Sequence, residues 1–211
     1  MNAPSTRQKL GALGLTLGVV VLALPLWLPI FGTALAVDEA LEPADAALVL
    51  EGTARDATDV AEVWRQQGLV HDVVIVEAPV KTHALVAYWS DFVRWGLAPP
   101  PTTPADYLHV VRSPSTETAQ QAHAALDALE RTGARLALVP GGGGIGSRLV
   151  ERELRSVLAP AGIDVRLVRY GDDSRDPARW YLNADDRRAV LDSWLQLAVP
   201  FLSGYEPGAG T

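Results

Sequence analysis

The chain contains no cysteine. Disulfides, thiolate zinc sites and cysteine nucleophiles are therefore excluded, and packing alone must hold whatever folds. Histidine is scarce too. His71, His83, His109 and His123 show no ligand spacing, so no metal site is expected and each is read as a surface or rim residue. A basic excess is also missing: 25 acidic residues face 18 basic ones, which leaves no electrostatic footprint for nucleic acid. No internal repeat is visible.

One stretch lacks charge altogether. Between Lys9 and Asp38 lie 28 uncharged residues, Leu10 to Val37. About 20 apolar residues in a helix span the hydrocarbon of a bilayer. Arg7 and Lys9 precede the run; Asp38, Glu39 and Glu42 follow it. Positive charge stays cytoplasmic, so residues 1–9 are expected inside, 10–37 as a single-pass anchor in the bacterial inner membrane, and the rest outside the cytoplasm. Two alternatives stay open. Ala34-Leu35-Ala36 has the form of a signal-peptide cleavage site, with release after Ala36, and Pro25 and Pro29 would shorten the apolar core. A fully buried core helix is the other, although such helices rarely run so long without charge at a terminus. Beyond Val37, 174 residues remain, enough for one domain with a sizeable core. Without Arg7 and Lys9 that part carries a formal charge of −9, which disfavours docking flat on anionic lipid.

Apolar runs of strand length alternate with helix-length segments after Pro43. Strands are expected at 44–50, 71–78, 107–111, 135–139 and 163–168. Helices are expected at 56–67, 82–97, from Ser115 to about Arg131, at about 147–159 and at about 184–202. Residues 98–106 are too rich in proline for either and read as a loop, and 203–211 as a disordered tail. This order predicts an α/β fold over 44–202: a Rossmann-like three-layer sandwich with a mainly parallel sheet of about five strands, preceded by one N-terminal transmembrane helix. Ligands of such sheets bind beyond the carboxyl ends of the strands, so the five loops there are the places to look.

The loop 140–148 carries four consecutive glycines, and Gly141, Gly143 and Gly146 satisfy G-x-G-x-x-G between a strand and a helix. Bare backbone amides at a helix N-terminus form an anion cradle, to which Arg148 adds a guanidinium. A dinucleotide site is disfavoured, because the motif sits in the fourth βα unit and the acid about 20 residues on, Asp164, opens a strand. The competing reading is a flexible glycine loop with no ligand. In 112–122, Ser115 reads as a helix cap, with Thr116 and Thr118 beside it pointing hydroxyls into the same crevice. At the tip of the first strand, Arg55 is a candidate anion ligand and Glu51 a candidate acid or base; Glu77 ends the second strand in similar fashion. Their plain alternative is a solvated turn. Asp172, Asp173, Arg175 and Asp176 read as a solvated charged loop, and Trp180 and Trp194 as core or crevice cover.

Taken in order, ADAALVLEG, Arg55, W-R-x-x-G-L, S-T-E-T-A-Q-Q-A, Ser147-Arg148, A-G-I-D-V-R-L-V and DPARWYLNADDRRAVLDSWLQLA resemble the YdcF-like (DUF-218) domain family over about residues 44–200. Ser115, Thr116, Thr118 and Ala122 match its S-T-N-T-x-E-N-A motif, Asp45 and Arg55 its first strand, Arg148 an arginine after strand four, Trp180 a late tryptophan and Asp192 a glutamate of the last helix. The resemblance implies a Rossmann-like fold, an enzyme-like site and a part in envelope biogenesis at the membrane, with S-adenosylmethionine binding in one branch; it fixes no cofactor here. The chain departs from the pattern at three motif positions, Glu117, Gln120 and Gln121, and has glycines where the family has a histidine. Gln120 for glutamate removes a proton acceptor that general-base chemistry needs. The expectation is therefore a domain that holds a phosphorylated or otherwise anionic small molecule or lipid carrier, with Glu51 or Glu117 as acid–base candidate, or else a non-catalytic scaffold on the same fold.

Overall fold

The computed structural model describes residues 26–50, 56–81, 86–88, 106–170 and 176–203. Five parallel strands form its centre: β1 (Ala46–Val49), β2 (Asp72–Glu77), β5 (Leu108–Arg112), β6 (Leu136–Pro140) and β7 (Asp164–Val168), in the order β5-β2-β1-β6-β7. A two-stranded antiparallel ribbon, β3 (Val80–Lys81) with β4 (Val86–Ala87), stands apart. The helices are α1 (Asp56–Gln66), α2 (Thr118–Thr132), α3 (Ser147–Leu158) and α4 (Ala184–Ser203). This is the expected Rossmann-like α/β fold. The strand order reverses between β1 and β6, which places the topological switch point there.

The middle strands are apolar because both faces are covered. Every residue of β1 is buried. Ala46 and Leu48 face α2 and α3 through Ala122, Ala125, Leu129, Leu154 and Leu158. Ala47 and Val49 face α1 through Ala57, Ala61 and Trp64. Asp45 ties the amino edge together: its carboxylate accepts from Arg135 N (2.8 Å) and Leu136 N (2.9 Å), and its carbonyl accepts from His71 N (3.1 Å). That role is structural and lies at the end of the sheet opposite any crevice.

The two sheet edges are managed differently. β5 is half-exposed, with Val110 open to solvent. β7 is covered by a strap over 37–42. Glu39 N donates to Leu167 O (2.9 Å), while the Glu39 carboxylate accepts from Leu167 N (3.0 Å) and Asp38 accepts from Arg169 N (3.1 Å). Arg155 pairs with Glu39 at 3.3 Å, and Arg166 pairs with Glu42. An exposed strand edge is a template for unwanted pairing, and these acids satisfy its outward groups. Upstream, residues 26–33 are helical and packed. Leu35 is fully buried with Trp180 and Val190, and Trp194 Nε1 donates to Phe31 O (3.1 Å). Trp180 thus fills core, as expected.

Three boundaries differ from the sequence reading. The packed unit reaches back to residue 26, so the last part of the uncharged run belongs to the domain. Strand β4 falls within the expected 82–97 helix and pairs with β3 just ahead of it, where β-branched Val80 and Val86 favour extended chain; 82–85 and 89–105 lie outside the described residues. Helix α2 starts at Thr118 instead of Ser115. Among the described residues no helix is long and apolar enough to cross a membrane.

Candidate functional site at the carboxyl edge

Two loop clusters meet the carboxyl ends of the strands. The first is the glycine loop between β6 and α3. Gly141 N and Gly142 N both donate to Val168 O, at 3.1 and 3.0 Å. Gly143 N donates to Val37 O (2.6 Å) and Arg148 N to Leu35 O (3.0 Å). Ser147, buried at the first position of α3, accepts from Val37 N at 2.7 Å and donates to Gly144 O at 2.9 Å. Arg148 Nε donates to Ala34 O at 2.5 Å. The chain's own segment 34–37 therefore occupies much of the expected cradle, and the Arg148 side chain is engaged with it.

The glycines themselves answer to packing. A Cβ at Gly142 would lie 2.7 Å from Leu167 O. One at Gly143, where φ is +80°, would lie 2.1 Å from Arg169 Nε. Close approach to β7 and its following arginine requires bare backbone there, with no ligand needed to explain it. Gly141 and Gly146 also take positive φ, as the turn into α3 demands.

The second cluster lies at the tips of β2 and β5. The parallel register sets Glu77 opposite Arg112. Glu77 is buried, and its carboxylate stands 4.0 Å from Arg112 Nε. The Arg112 side chain keeps 41% of its surface exposed and its guanidinium lies 4.7 Å from the centre of the Tyr88 ring, a cation–π distance. Tyr88 in turn donates its hydroxyl to Ser113 O (3.0 Å), and Ser113 N donates to Glu77 O (2.8 Å).

The chain then makes a hydroxyl-built turn. Ser113 Oγ donates to Ser115 O (2.7 Å), and Ser115 Oγ accepts from Glu117 N (3.1 Å). Buried Gln121 reaches back from α2 to donate to Thr116 O (2.9 Å). Such local side-chain bonds compete with helix, which is why α2 begins three residues late, with Glu117 at its N-cap and without a capping side-chain bond. Glu117 and Thr116 are exposed on this turn, and Ser115 and Thr118 are half-buried. Glu51 and Arg55 lie outside the described residues.

Of the sequence candidates, then, Ser115, Thr116, Glu117 and Thr118 share one turn, while Gly141, Gly143, Gly146 and Arg148 belong to a loop met by the chain's own backbone. Arg112 and Tyr88 were missed. The available signal was positional: Glu77 and Arg112 are opposite charges that end neighbouring strands. Among the described residues no cluster of histidine and acidic side chains is arranged to hold a metal ion. The class of molecule defined so far is a Rossmann-like α/β domain with a polar, arginine-rimmed patch at its strand tips. Comparison with known proteins adds nothing to that: no family model, no curated protein and no solved structure matches the chain.

Proposed function

We propose that this chain is a membrane-anchored, YdcF-like domain protein on the outer face of the bacterial inner membrane, and that it binds a phosphorylated or otherwise anionic small molecule or lipid-carrier intermediate in envelope biogenesis. The observation that carries the binding reading is the Glu77–Arg112–Tyr88 cluster beside the Ser113–Thr116 turn. A partly exposed guanidinium held beside a buried carboxylate and an aromatic face presents positive charge to an oxyanion, and serine and threonine hydroxyls nearby add donors. Arg55, a sequence candidate outside the described residues, is the second cation of this reading. The anchor rests on the uncharged run and the charges that flank it.

The test is a thermal-shift series with inorganic phosphate, a sugar nucleotide and a short-chain polyprenyl phosphate. Wild type shifts upward with at least one of them. Arg112→Ala and Arg55→Ala lose the shift, whereas Arg148→Ala lowers the starting Tm and keeps it. No shift in wild type, or an unchanged shift in Arg112→Ala, rejects the binding reading. A non-catalytic scaffold on the same fold is the second reading. It is favoured by the engagement of the glycine-loop amides with 34–37, and it predicts no shift with any of the three.

A further inference from the structure

The helical residues 26–33 meet the domain through Leu28, Phe31 and Gly32. Leu28 packs against the Leu35–Trp180–Val190 cluster, and a Cβ on Gly32 would lie 1.9 Å from Pro177 O. Outside that contact, Leu26 (73% exposed), Trp27 (57%) and Ile30 (54%) are open to solvent, and Phe31 (49%) lies at the edge of the docked face. The Phe31 ring meets Trp194 of α4 edge-on at 6.0 Å between centroids. On α4, Leu191, Leu195 and Val199 recur every four residues and are all more than half exposed, and 193–203 contain no charge. At 3.6 residues per turn these three and Trp194 fall on one side of the helix. Seven exposed large apolar side chains thus stand on two helices that meet at Phe31 and Trp194, and clustered exposed apolar side chains mark interaction surfaces.

The uncharged run that leads into it says what covers it. That run begins at Leu10 and continues without a charge through Leu26 to Phe31. On the anchored reading no charged linker separates the span from the domain. The face that continues directly from the span, Leu26 to Phe31, then meets the interface, where tryptophan is favoured. We infer that this surface, from Leu26–Phe31 to Leu191–Val199, lies in the headgroup and acyl boundary of the membrane and fixes the orientation of the α/β domain on it. The inference rests on the anchored reading above. Net negative charge on the domain is compatible with it, because apolar burial and not lipid charge supplies the attraction.

The absence of native cysteine makes the test clean. The full chain is reconstituted in phosphatidylcholine vesicles with a single fluorophore-labelled cysteine, at Leu195→Cys, at Val199→Cys or, as control, at exposed Asp127→Cys on α2. Flotation reads the anchor; quenching reads the surface. The expected result is that the chain floats, that brominated lipid quenches the labels at 195 and 199 severalfold more than at 127, and that aqueous iodide does the reverse. If the chain floats but 195 and 199 are as open to iodide as 127, the membrane-facing surface is overturned while the anchor stands. Labels shielded from both quenchers also overturn it, since a second protein copy then covers the patch. A chain that does not float fails the anchored reading, and this inference with it.

Discussion

Two loops leave the same edge of one parallel sheet and end in different states. After β6, glycine-loop amides meet the chain's own carbonyls at Val168, Val37 and Leu35. After β5, a turn of serine and threonine hydroxyls stands beside an arginine that remains two-fifths exposed. By motif the first loop looks like the better anion site. By structure it is the more completely closed one. Bare amides attract any acceptor, and a tethered carbonyl from the same chain competes at a high effective concentration with a free ligand. At the second cluster Ser113, Tyr88 and Gln121 also donate to local carbonyls, and the difference is the Arg112 side chain, which stays two-fifths exposed.

The largest way to break this contrast is to undock the closing segment. Leu35 is fully buried, so Leu35→Ala is expected to lose about 2–5 kcal/mol in urea unfolding. Hydrogen exchange at Gly143 and Arg148 should accelerate with it, because their partners are on 34–37. Unchanged exchange there means that the segment does not depend on the Leu35 anchor. Next is Ser147→Ala, which strips Val37 N of its 2.7 Å acceptor in a buried setting. A loss of about 1–3 kcal/mol is expected, with faster exchange at Val37 and no change at Ser115.

The matching change in the other loop is Ser113→Ala. It removes the 2.7 Å bond to Ser115 O and should lower stability by about 0.5–1.5 kcal/mol. Ligand-induced thermal shift should fall as well, while exchange at Gly143 stays as in wild type. Equal effects of both serine variants at both loops erase the distinction.

The smallest effect lies behind the β5 side. Arg65 of α1 bonds Glu62 through Nε (3.0 Å) and Nη2 (2.6 Å) and lies over the Tyr107 ring at 3.8 Å. The Arg65 hydrogen bond is the main reason the Glu62 carboxyl is held down at about 2, against 4.5 for the free group. A lowered acid stabilises the fold above pH 4.5 and loses that contribution as pH falls towards 2. The pair is on the surface, so at most about 1 kcal/mol is at stake. Urea midpoints at neutral and acid pH should converge between wild type and Glu62→Gln as pH falls through that window; a constant gap contradicts the pairing.

Much of the fold was legible. Continuous apolar runs such as Ala46–Val49 identify strands covered on both faces, and their alternation with helical spacing identifies a parallel sheet. Gly68 and Gly133, both with positive φ, stop their helices where the sequence places them. The site was legible only in part. Ser115 and Thr116 were found because hydroxyls cluster before a helix, but the bonds that delay α2 to Thr118 depend on Ser113 and on Gln121 reaching back. Arg112 gains meaning only from a strand register that sets it across from Glu77.

The sequence alone determined the class: local propensity and hydrophobic period are written in neighbouring residues, and they suffice to specify strands, helices and their order. It also determined that a long uncharged run precedes the acids Asp38, Glu39 and Glu42. Only the tertiary structure decided what those features do. It turned the acids into a cover for the β7 edge, set Leu35 and Trp180 into a shared cluster, and let Val37 close the glycine loop 106 residues away. Pairings of that kind depend on which segments share an edge or a face, and no local pattern in the chain encodes that choice.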